Sequence, residues 1–164
     1  MKHIWPNSRL IACWRLHKLS TEPICALCAP TATTQLWQDD FCRVMLMNDT
    51  DYPAYCRVEL LSHVKEMTDL PPQDRARVMK TVFAVELAIR ETLNPDKINL
   101  ASLGNKTPHI HWHVIPRFEN DKHFPNSHWG EVVREAHHAP LNTETVNTLT
   151  EKIKAHIECA LNSH

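Results

Sequence analysis

The fold is decided by the stretch His109–Arg117, which reads His-Ile-His-Trp-His-Val-Ile-Pro-Arg. Histidine alternates with an apolar residue over its first six positions, and this period of two predicts a β-strand, which we extend to Phe118. Successive side chains of a strand point to opposite faces, so His109, His111 and His113 should share one face. The apolar residues between them share the other face, where they can pack on a hydrophobic core. Histidines on the same face are expected about 6.6 Å apart.

A row of three imidazoles suits chemistry on an extended polyphosphate. A neutral imidazole is a competent nucleophile toward phosphorus and an adequate leaving group afterwards. Its neighbours can stabilise charge and handle protons, which is most of what phosphoryl transfer requires from a protein. Two other interpretations stay open on spacing alone. The histidines can be surface residues on a polar sheet face, or they can hold a metal, because His-x-His on a strand is a common zinc-binding arrangement.

The rest of the chain predicts an α+β domain with a largely antiparallel sheet. Short runs of strand-forming residues and two stretches of helical periodicity carry this prediction. The expected strands are Arg43–Met47, Tyr55–Leu61 and Ile98–Leu103, and the expected helices are 8–18, 72–93 and a C-terminal one over 146–161. Residues 29–34 are predicted to be a loop. At 164 residues, the whole chain is expected to be one domain.

Composition and charge exclude several classes of function. The chain has 2 glycines, whereas glycine-rich phosphate loops and dinucleotide fingerprints need about three close together. Its net charge of −1 gives no electrostatic basis for binding nucleic acid or an anionic membrane. No apolar run is long enough to cross a membrane, and Met1–Lys18 lacks the features of a secretory signal. With 6 cysteines and no sign of secretion, we expect a cytoplasmic protein with reduced thiols.

The spacing Cys25-Ala26-Leu27-Cys28 is typical of a metal-binding knuckle, although one such pair needs two further ligands. His63 and His109 are candidates for them. Two free thiols are the alternative, and a redox role is disfavoured because no strand directly precedes the pair. The remaining cysteines are expected to be small core residues. These are Cys13, Cys42, Cys56 and Cys159.

The histidine stretch and its surroundings resemble the histidine triad family of nucleotide hydrolases and transferases. The matching segments are the triad itself, Ile98–Asn105, Pro116–Phe118, Tyr55–Val58, His63–Leu70, and a tail like that of bacterial members, Asp121–Pro125 with Trp129-Gly130. The resemblance covers about residues 25–130, which leaves N-terminal and C-terminal helical extensions. It implies an antiparallel sheet with one long helix packed on it, a C-terminal helix, and a homodimer.

The resemblance implies a role for each histidine of the triad. His111 corresponds to the family's nucleophile. His113 would contact the phosphates and help to orient the nucleophile. His109 assists leaving-group chemistry in some members of the family and binds zinc in others.

The resemblance also implies a zinc site. Zinc-bearing members join a CxxC pair to a mid-chain histidine and to the first triad histidine, which here are Cys25, Cys28, His63 and His109. Such a site would be closed and structural, tying the N-terminal segment to the triad strand. It would prevent His109 from acting as an acid, so the two roles of this histidine conflict. We favour the ligand role.

A purine nucleotide or dinucleotide is the ligand that the resemblance implies. The family binds ribose through an acidic residue after its first long strand, and position matching indicates Asn48 or Asp49. Asn99 would line the same cleft. Asn105 and Lys106 stand where the family has Gln and then Ser or Thr, and Lys106 could contact phosphate as a cation. Ordinary turn chemistry explains these loop residues equally well.

Four residues after the triad have two interpretations each. Arg117 can pair with phosphate, although an arginine at a strand end is more often a solvated charge. His123, His128 and Trp129 can cover the site, or they can be loop residues that pack on the surface.

The combined prediction is a hydrolase that cleaves phosphoanhydride or phosphoramidate bonds at the α-phosphate through a nucleotidyl group on His111. A non-catalytic, nucleotide-binding regulatory module is one alternative. A metal-dependent enzyme that uses the triad as ligands is the other.

Overall fold

The computed structural model describes residues 25–29, 33–136 and 138–162. Within these ranges the chain forms five strands and two α-helices. In order they are β1 (Thr34–Gln38), β2 (Cys42–Leu46), β3 (Cys56–Leu60), α1 (Pro72–Leu93), β4 (Lys97–Ala101), β5 (His111–Arg117) and α2 (Thr143–Asn162), with a short 3₁₀ turn at Met67–Asp69 before α1. This arrangement confirms the predicted α+β class.

The five strands form one sheet in the order β1-β2-β3-β5-β4, and every neighbouring pair is antiparallel. β5 therefore lies between β3 and β4, with both of its edges hydrogen-bonded. β4 is an edge strand. The histidine strand is thus an interior strand held by ladders on both sides, which gives its side chains a rigid base.

Both helices lie on one face of the sheet. Helix α1 contacts β3 and β5, and α2 packs along α1 and reaches β1. The side chains between these layers form the main hydrophobic core, which includes Val58 and Val114 from the sheet, Val82 and Ile89 from α1, and Ile153 from α2. Trp112 packs against this core, so the apolar face predicted for the histidine strand is confirmed.

Helix α1 has the predicted limits. It begins at Pro72, whose missing N–H is harmless in the first turn, where no intrahelical acceptor exists. It ends at Leu93 because Asn94 adopts a left-handed conformation (φ 47°) and its N–H bonds the carbonyl of Arg90. Helix α2 buries Leu149, Ile153 and Ile157 at the predicted spacing. The helix predicted over residues 8–18 lies outside the described residues.

Two strand predictions need correction. β1 was not predicted, and its first residue falls within the stretch 29–34 that we expected to be a loop. β5 begins at His111 rather than His109. The N–H of His109 bonds the carbonyl of Thr107 and that of Ile110 bonds the carbonyl of Val64, so these two residues turn out of the regular ladder.

Burial also departs from expectation at three positions. Phe83 and Leu87 belong to the apolar periodicity that predicts α1, which implies burial, but they are 54% and 39% exposed, because the buried stripe of α1 runs through Val78, Val82, Val85 and Ile89 instead. Cys159 is exposed, since it lies two residues, or about 200°, beyond buried Ile157 on α2. Cys42 and Cys56 are buried as predicted, and Cys13 lies outside the described residues.

No helix in the described ranges is both long enough and apolar enough to span a membrane.

Candidate functional site

The face of the sheet opposite the helices carries the histidine pair of β5. Alternation along β5 places His111 and His113 on this face, and they are 6% and 7% exposed. In the pairing with β3, His111 stands opposite Glu59, and His113 stands opposite Arg57. The two imidazole rings meet edge to face, with centroids 4.9 Å apart and planes at 74°. We call this surface the histidine face.

A hydrogen bond fixes the tautomer of His111. Its Nδ1 lies 2.7 Å from the backbone carbonyl oxygen of His109. A carbonyl can only accept, so Nδ1 carries the hydrogen and donates it. In the neutral ring, Nε2 then has no hydrogen and presents a lone pair.

His113 is held in its neutral form beside a tyrosine. A hydrogen bond joins its Nδ1 to the hydroxyl of Tyr55, the residue that precedes β3. Burial, together with the neighbouring His111 and Arg57, lowers the pKa of His113 to about 4. Burial raises the pKa of Tyr55 to about 12. Both groups are therefore neutral at pH 7. The phenol and the imidazole each carry one hydrogen, and one of these two hydrogens lies in the hydrogen bond between Tyr55 and His113.

The segment after β5 folds over the histidine face. The ring of Trp129, half exposed at 52%, lies edge-on 5.2 Å from the His113 ring and 4.8 Å from that of His128. His128 in turn stands edge-on to Tyr52 at 4.3 Å, and the Tyr52 hydroxyl hydrogen-bonds Nδ1 of His123. The structure therefore places these three predicted residues against the site rather than apart from it.

Arg117 is buried, so its interpretation as a solvated charge is wrong. Only 2% of the residue is exposed, and its guanidinium forms a two-pronged ion pair with Asp121 at 2.6 and 3.0 Å. It also donates to the carbonyl of Asn126 at 2.9 Å. Burial acts to raise the pKa of Asp121, but hydrogen bonds from Arg117 and from backbone N–H groups outweigh it and leave this pKa lowered. Arg117 thus anchors the segment that covers the histidine face.

The predicted nucleotide-contacting residues do not share one pocket. Asn48 and Asp49 line a hollow of about 240 Å³ after β2, with apolar walls. Asn99 lines a hollow of about 450 Å³ that also contains His128 and Trp129, and it accepts a 2.5 Å hydrogen bond from Arg117. Asn105 lines a third hollow beside His109, and Lys106 is exposed in the same turn. The charge of Asp49 nevertheless reaches residues of the histidine face, because it acts to raise the pKa values of Tyr55 and His128.

A second cluster joins the CxxC segment to the residues just before β5. The ligand atoms of Cys25, Cys28, His63 and His109 all lie within 4.8 Å of one another. The sulfur of Cys28 is 3.4 Å from Nδ1 of His63 and 3.5 Å from Nδ1 of His109, which is 3.6 Å from the sulfur of Cys25. A tetrahedral zinc with its ordinary bond lengths separates sulfur and nitrogen ligands by about 3.6 Å. The four residues therefore fit a zinc site.

The tautomer of His109 supports this fit. Its Nε2 lies 2.7 Å from the carbonyl oxygen of Leu60, so Nε2–H donates there and Nδ1 keeps the lone pair that faces the two sulfurs. His109 is 1% exposed. Among the described residues, the group of His and Cys side chains that could hold a metal consists of Cys25, Cys28, His63 and His109. His111 and His113 do not belong to it.

Sequence reasoning missed two features of the histidine face. One is the contact of Tyr55 with His113. The other is a set of three charged side chains, Arg43, Glu59 and Arg57, which lie on the same face in β2 and β3. The alternation Arg57-Val58-Glu59 was a signal for the second, because charged residues at a spacing of two in a strand share a face.

Comparison with known proteins agrees with this geometry. A family model described as the HIT domain matches residues 30–120, more than half of the chain. The fold is similar to that of a histidine triad protein from Bradyrhizobium japonicum (25% identity, TM-score 0.62, covering 76% of this chain and 90% of that one). It is also similar to a histidine triad protein from Marinobacter aquaeolei VT8 (28% identity, TM-score 0.61, 77% and 90%).

A zinc-bound histidine triad family protein from Mycobacterium smegmatis shares the fold at 21% identity, with a TM-score of 0.57 and coverage of 83% of this chain and 97% of that one. No curated protein matches this chain significantly. The family-model match, the fold and the paired histidines of β5 lead to the same conclusion. The chain belongs to the histidine triad family, whose members bind nucleotides.

Proposed function

We propose that this protein is a nucleotide hydrolase that cleaves phosphoanhydride or phosphoramidate bonds at the α-phosphate. Nε2 of His111 attacks the α-phosphorus, a nitrogen–phosphorus bond forms, and the bond to the leaving group breaks. Water then displaces the histidine and releases the nucleoside monophosphate. The observation that carries this proposal is the 2.7 Å contact of His111 Nδ1 with the His109 carbonyl, because it leaves Nε2 as the nucleophilic nitrogen.

His113 would bind the phosphate next to the attacking nitrogen. The Tyr55 hydroxyl needs an acceptor for its hydrogen, and Nδ1 of His113 is the contact that supplies one. In that arrangement the remaining hydrogen of His113 sits on Nε2, as a donor for a phosphoryl oxygen. Such a donor stabilises the charge that develops on the oxygens during attack.

His109 serves this site as a zinc ligand rather than as an acid. Its Nε2–H is already used by the Leu60 carbonyl, and its Nδ1 faces the cysteine sulfurs. Zinc supplies structural cross-linking when it is bound by Cys25, Cys28, His63 and His109. The backbone carbonyl of His109 also accepts the hydrogen bond that orients His111. The zinc site therefore fixes the position of the group that orients the nucleophile.

The nucleoside would occupy the hollow after β2. Leu46 and Pro53 give it apolar walls suited to a base, and Asp49 or Asn48 offers an acceptor for the ribose hydroxyls. Asn99 lies on the other side of the histidine face, where Trp129 can close over a bound nucleotide. Asn105 and Lys106, in the exposed turn before β5, would meet the phosphates from the solvent side.

We also infer that two copies associate through α1 and β4. Phe83 and Leu87 lie one helical turn apart and leave an exposed apolar patch on α1. Among the described residues, β4 is an edge strand, so its outer side can pair with a second copy. A cytoplasmic location remains an expectation from the cysteine content.

Turnover of dinucleoside polyphosphates and nucleoside phosphoramidates tests the proposal. Replacement of the nucleophile in His111→Asn should lower kcat by about 1,000-fold or more. His156→Asn is the matched control, because His156 lies on α2 in contact with Glu91, in the helical layer on the other side of the sheet. Turnover that survives in His111→Asn contradicts the mechanism. Nucleotide binding by the unaltered protein with no turnover of either substrate class would support the regulatory binding module instead.

A further inference from the structure

Three charged side chains, of which one is fully buried and two are partly buried, form a group on the histidine face. Glu59 is fully buried, and each of its carboxylate oxygens accepts a hydrogen bond from Nε of one arginine and forms a close ion pair with Nη2 of the same arginine. Nε and Nη2 of Arg43 lie 2.8 and 2.7 Å from Oε2. Nε and Nη2 of Arg57 both lie 2.5 Å from Oε1. One negative and two positive groups leave this set with a net charge of +1.

This charge lies beside the proposed reaction centre. Glu59 is directly opposite His111 in the β3–β5 pairing, and Arg57 is directly opposite His113. Residues that are directly opposite in an antiparallel pair project from the same face, with Cβ atoms about 5 Å apart. The positive charge of Arg57 also reaches the His113 ring, since it is one of the causes that lower the pKa of that histidine.

The two arginines differ in how many protein acceptors their guanidinium groups contact. Nη2 of Arg43 also donates to the carbonyl of Leu27, so Arg43 ties the CxxC segment to the sheet. A guanidinium has five N–H donors, and the contact with Glu59 uses two of those on Arg57. Within the described residues, the Arg57 guanidinium contacts Glu59 through Nε and Nη2, so its other N–H groups can bind a ligand, and 16% of this side chain is exposed.

Structural pairing alone does not require both arginines. One arginine is enough to neutralise Glu59, and a buried surplus charge carries a desolvation cost that an anion would relieve. Arginine recognises phosphate well because its planar fork matches two phosphoryl oxygens. The surplus charge thus has a natural partner in a phosphate that lies next to the one under attack.

We propose that Arg57 binds the leaving phosphate, so that this site prefers substrates with a phosphoanhydride bond over phosphoramidates. This inference rests on the proposed function. When Nε2 of His111 bonds the α-phosphorus of a phosphoanhydride, the bridging P–O bond breaks and its electron pair stays on the departing phosphate, beside Arg57. In a phosphoramidate the P–N bond breaks and the amine leaves after it takes a proton, so no anionic oxygen forms there.

The test compares kcat/KM for diadenosine tetraphosphate with kcat/KM for adenosine 5′-phosphoramidate. Because both kcat/KM values are measured on the same sample, their ratio does not depend on the fraction of the protein that is folded. In Arg57→Gln the ratio should fall by about 10- to 100-fold, the value of one charge-assisted hydrogen bond. Arg57→Lys, which keeps the charge but loses the fork, should give an intermediate ratio.

Arg43→Gln is the matched control, because it removes an equivalent pair of contacts with Glu59 but not the group that faces the phosphate. Its ratio should equal that of the unaltered protein. An unchanged ratio in Arg57→Gln overturns the inference, and so does an equal fall in both variants.

A binding measurement separates this inference from the proposed function. Calorimetry should show that ADP binds more tightly than AMP, and that Arg57→Gln removes the difference. If the unaltered protein turns over neither substrate, the proposed function fails, and the ADP-to-AMP affinity ratio still decides the role of Arg57. If both substrates are turned over and neither ratio depends on Arg57, the inference alone fails.

Discussion

The substitution Tyr55→Phe tests most directly whether the Tyr55 hydroxyl orients the imidazole of His113. It removes one hydroxyl and keeps a ring of the same size at a site that is 6% exposed. The imidazole of His113 is neutral, with a pKa of about 4, so it can respond in two ways. Nδ1 can stay without a partner in a buried position, or the hydrogen can move from Nε2 to Nδ1.

The second response removes the Nε2 hydrogen that faces the phosphate, and the first leaves a buried nitrogen without a partner. A buried group without its partner costs about 1–3 kcal/mol, and each 1.4 kcal/mol corresponds to a factor of ten. We therefore expect kcat/KM to fall by about 10- to 100-fold. The ¹⁵N chemical shifts of His113 should also move toward the Nδ1–H tautomer, which a general loss of packing would not produce.

Tyr52→Phe is the control, because it removes an equivalent hydroxyl from His123 at a position that is 1% exposed. It should leave both kcat/KM and the His113 tautomer unchanged. The reasoning is refuted if Tyr55→Phe retains full kcat/KM with the original tautomer, or if Tyr52→Phe has the same effect as Tyr55→Phe.

Three further predictions concern the metal, the protonation of the site and the assembly. Zinc measured by mass spectrometry should fall from about one ion per chain to background in Cys28→Ser and stay constant in Cys159→Ser, whose cysteine lies exposed on α2; zinc that survives Cys28→Ser would favour the histidine row as the metal site. Between pH 6.5 and pH 4 the unfolded chain binds a proton that folded His113 rejects, so the free energy of unfolding should fall by up to about 3 kcal/mol as the pH drops through this range. Urea titrations at several pH values should show that the free energy of unfolding of His113→Asn falls less steeply with decreasing pH. An identical pH dependence would contradict the assignment of this effect to His113. Sedimentation should give twice the chain mass, reduced to one chain mass by Phe83→Glu, whereas a monomer before substitution would exclude the proposed dimer.

Local patterns predicted the elements whose periodicity is long and regular. The 22 residues of α1 have proline at one end and Asn94 at the other, and both signals act within a single helical turn. Strand β5 was predicted from its alternation, which also separates the histidine face from the core. β1 was missed because its five residues, Thr-Gln-Leu-Trp-Gln, bury a single side chain fully and give a weak pattern.

The contacts that make the site specific depend on strand register and on packing. The approach of Tyr55 to His113 cannot be read from one strand, because it needs the alignment of β3 with β5. The pairing of Arg43 with Glu59 likewise needs the alignment of β2 with β3. The exposed position of Phe83 likewise follows from which stripe of α1 meets α2 and the sheet. The zinc ligands were predicted through the family resemblance, since 81 residues separate Cys28 from His109 in the chain.

Identification of the residue that carries the nucleotide tests the central claim most directly. The protein is mixed with diadenosine tetraphosphate, quenched at alkaline pH during a single turnover, digested and analysed by peptide mass spectrometry. The account predicts an adenylyl group on His111, in the peptide that contains the triad. An adenylyl group on any other residue, or complete product formation with no adenylated histidine at any quench time, would contradict it.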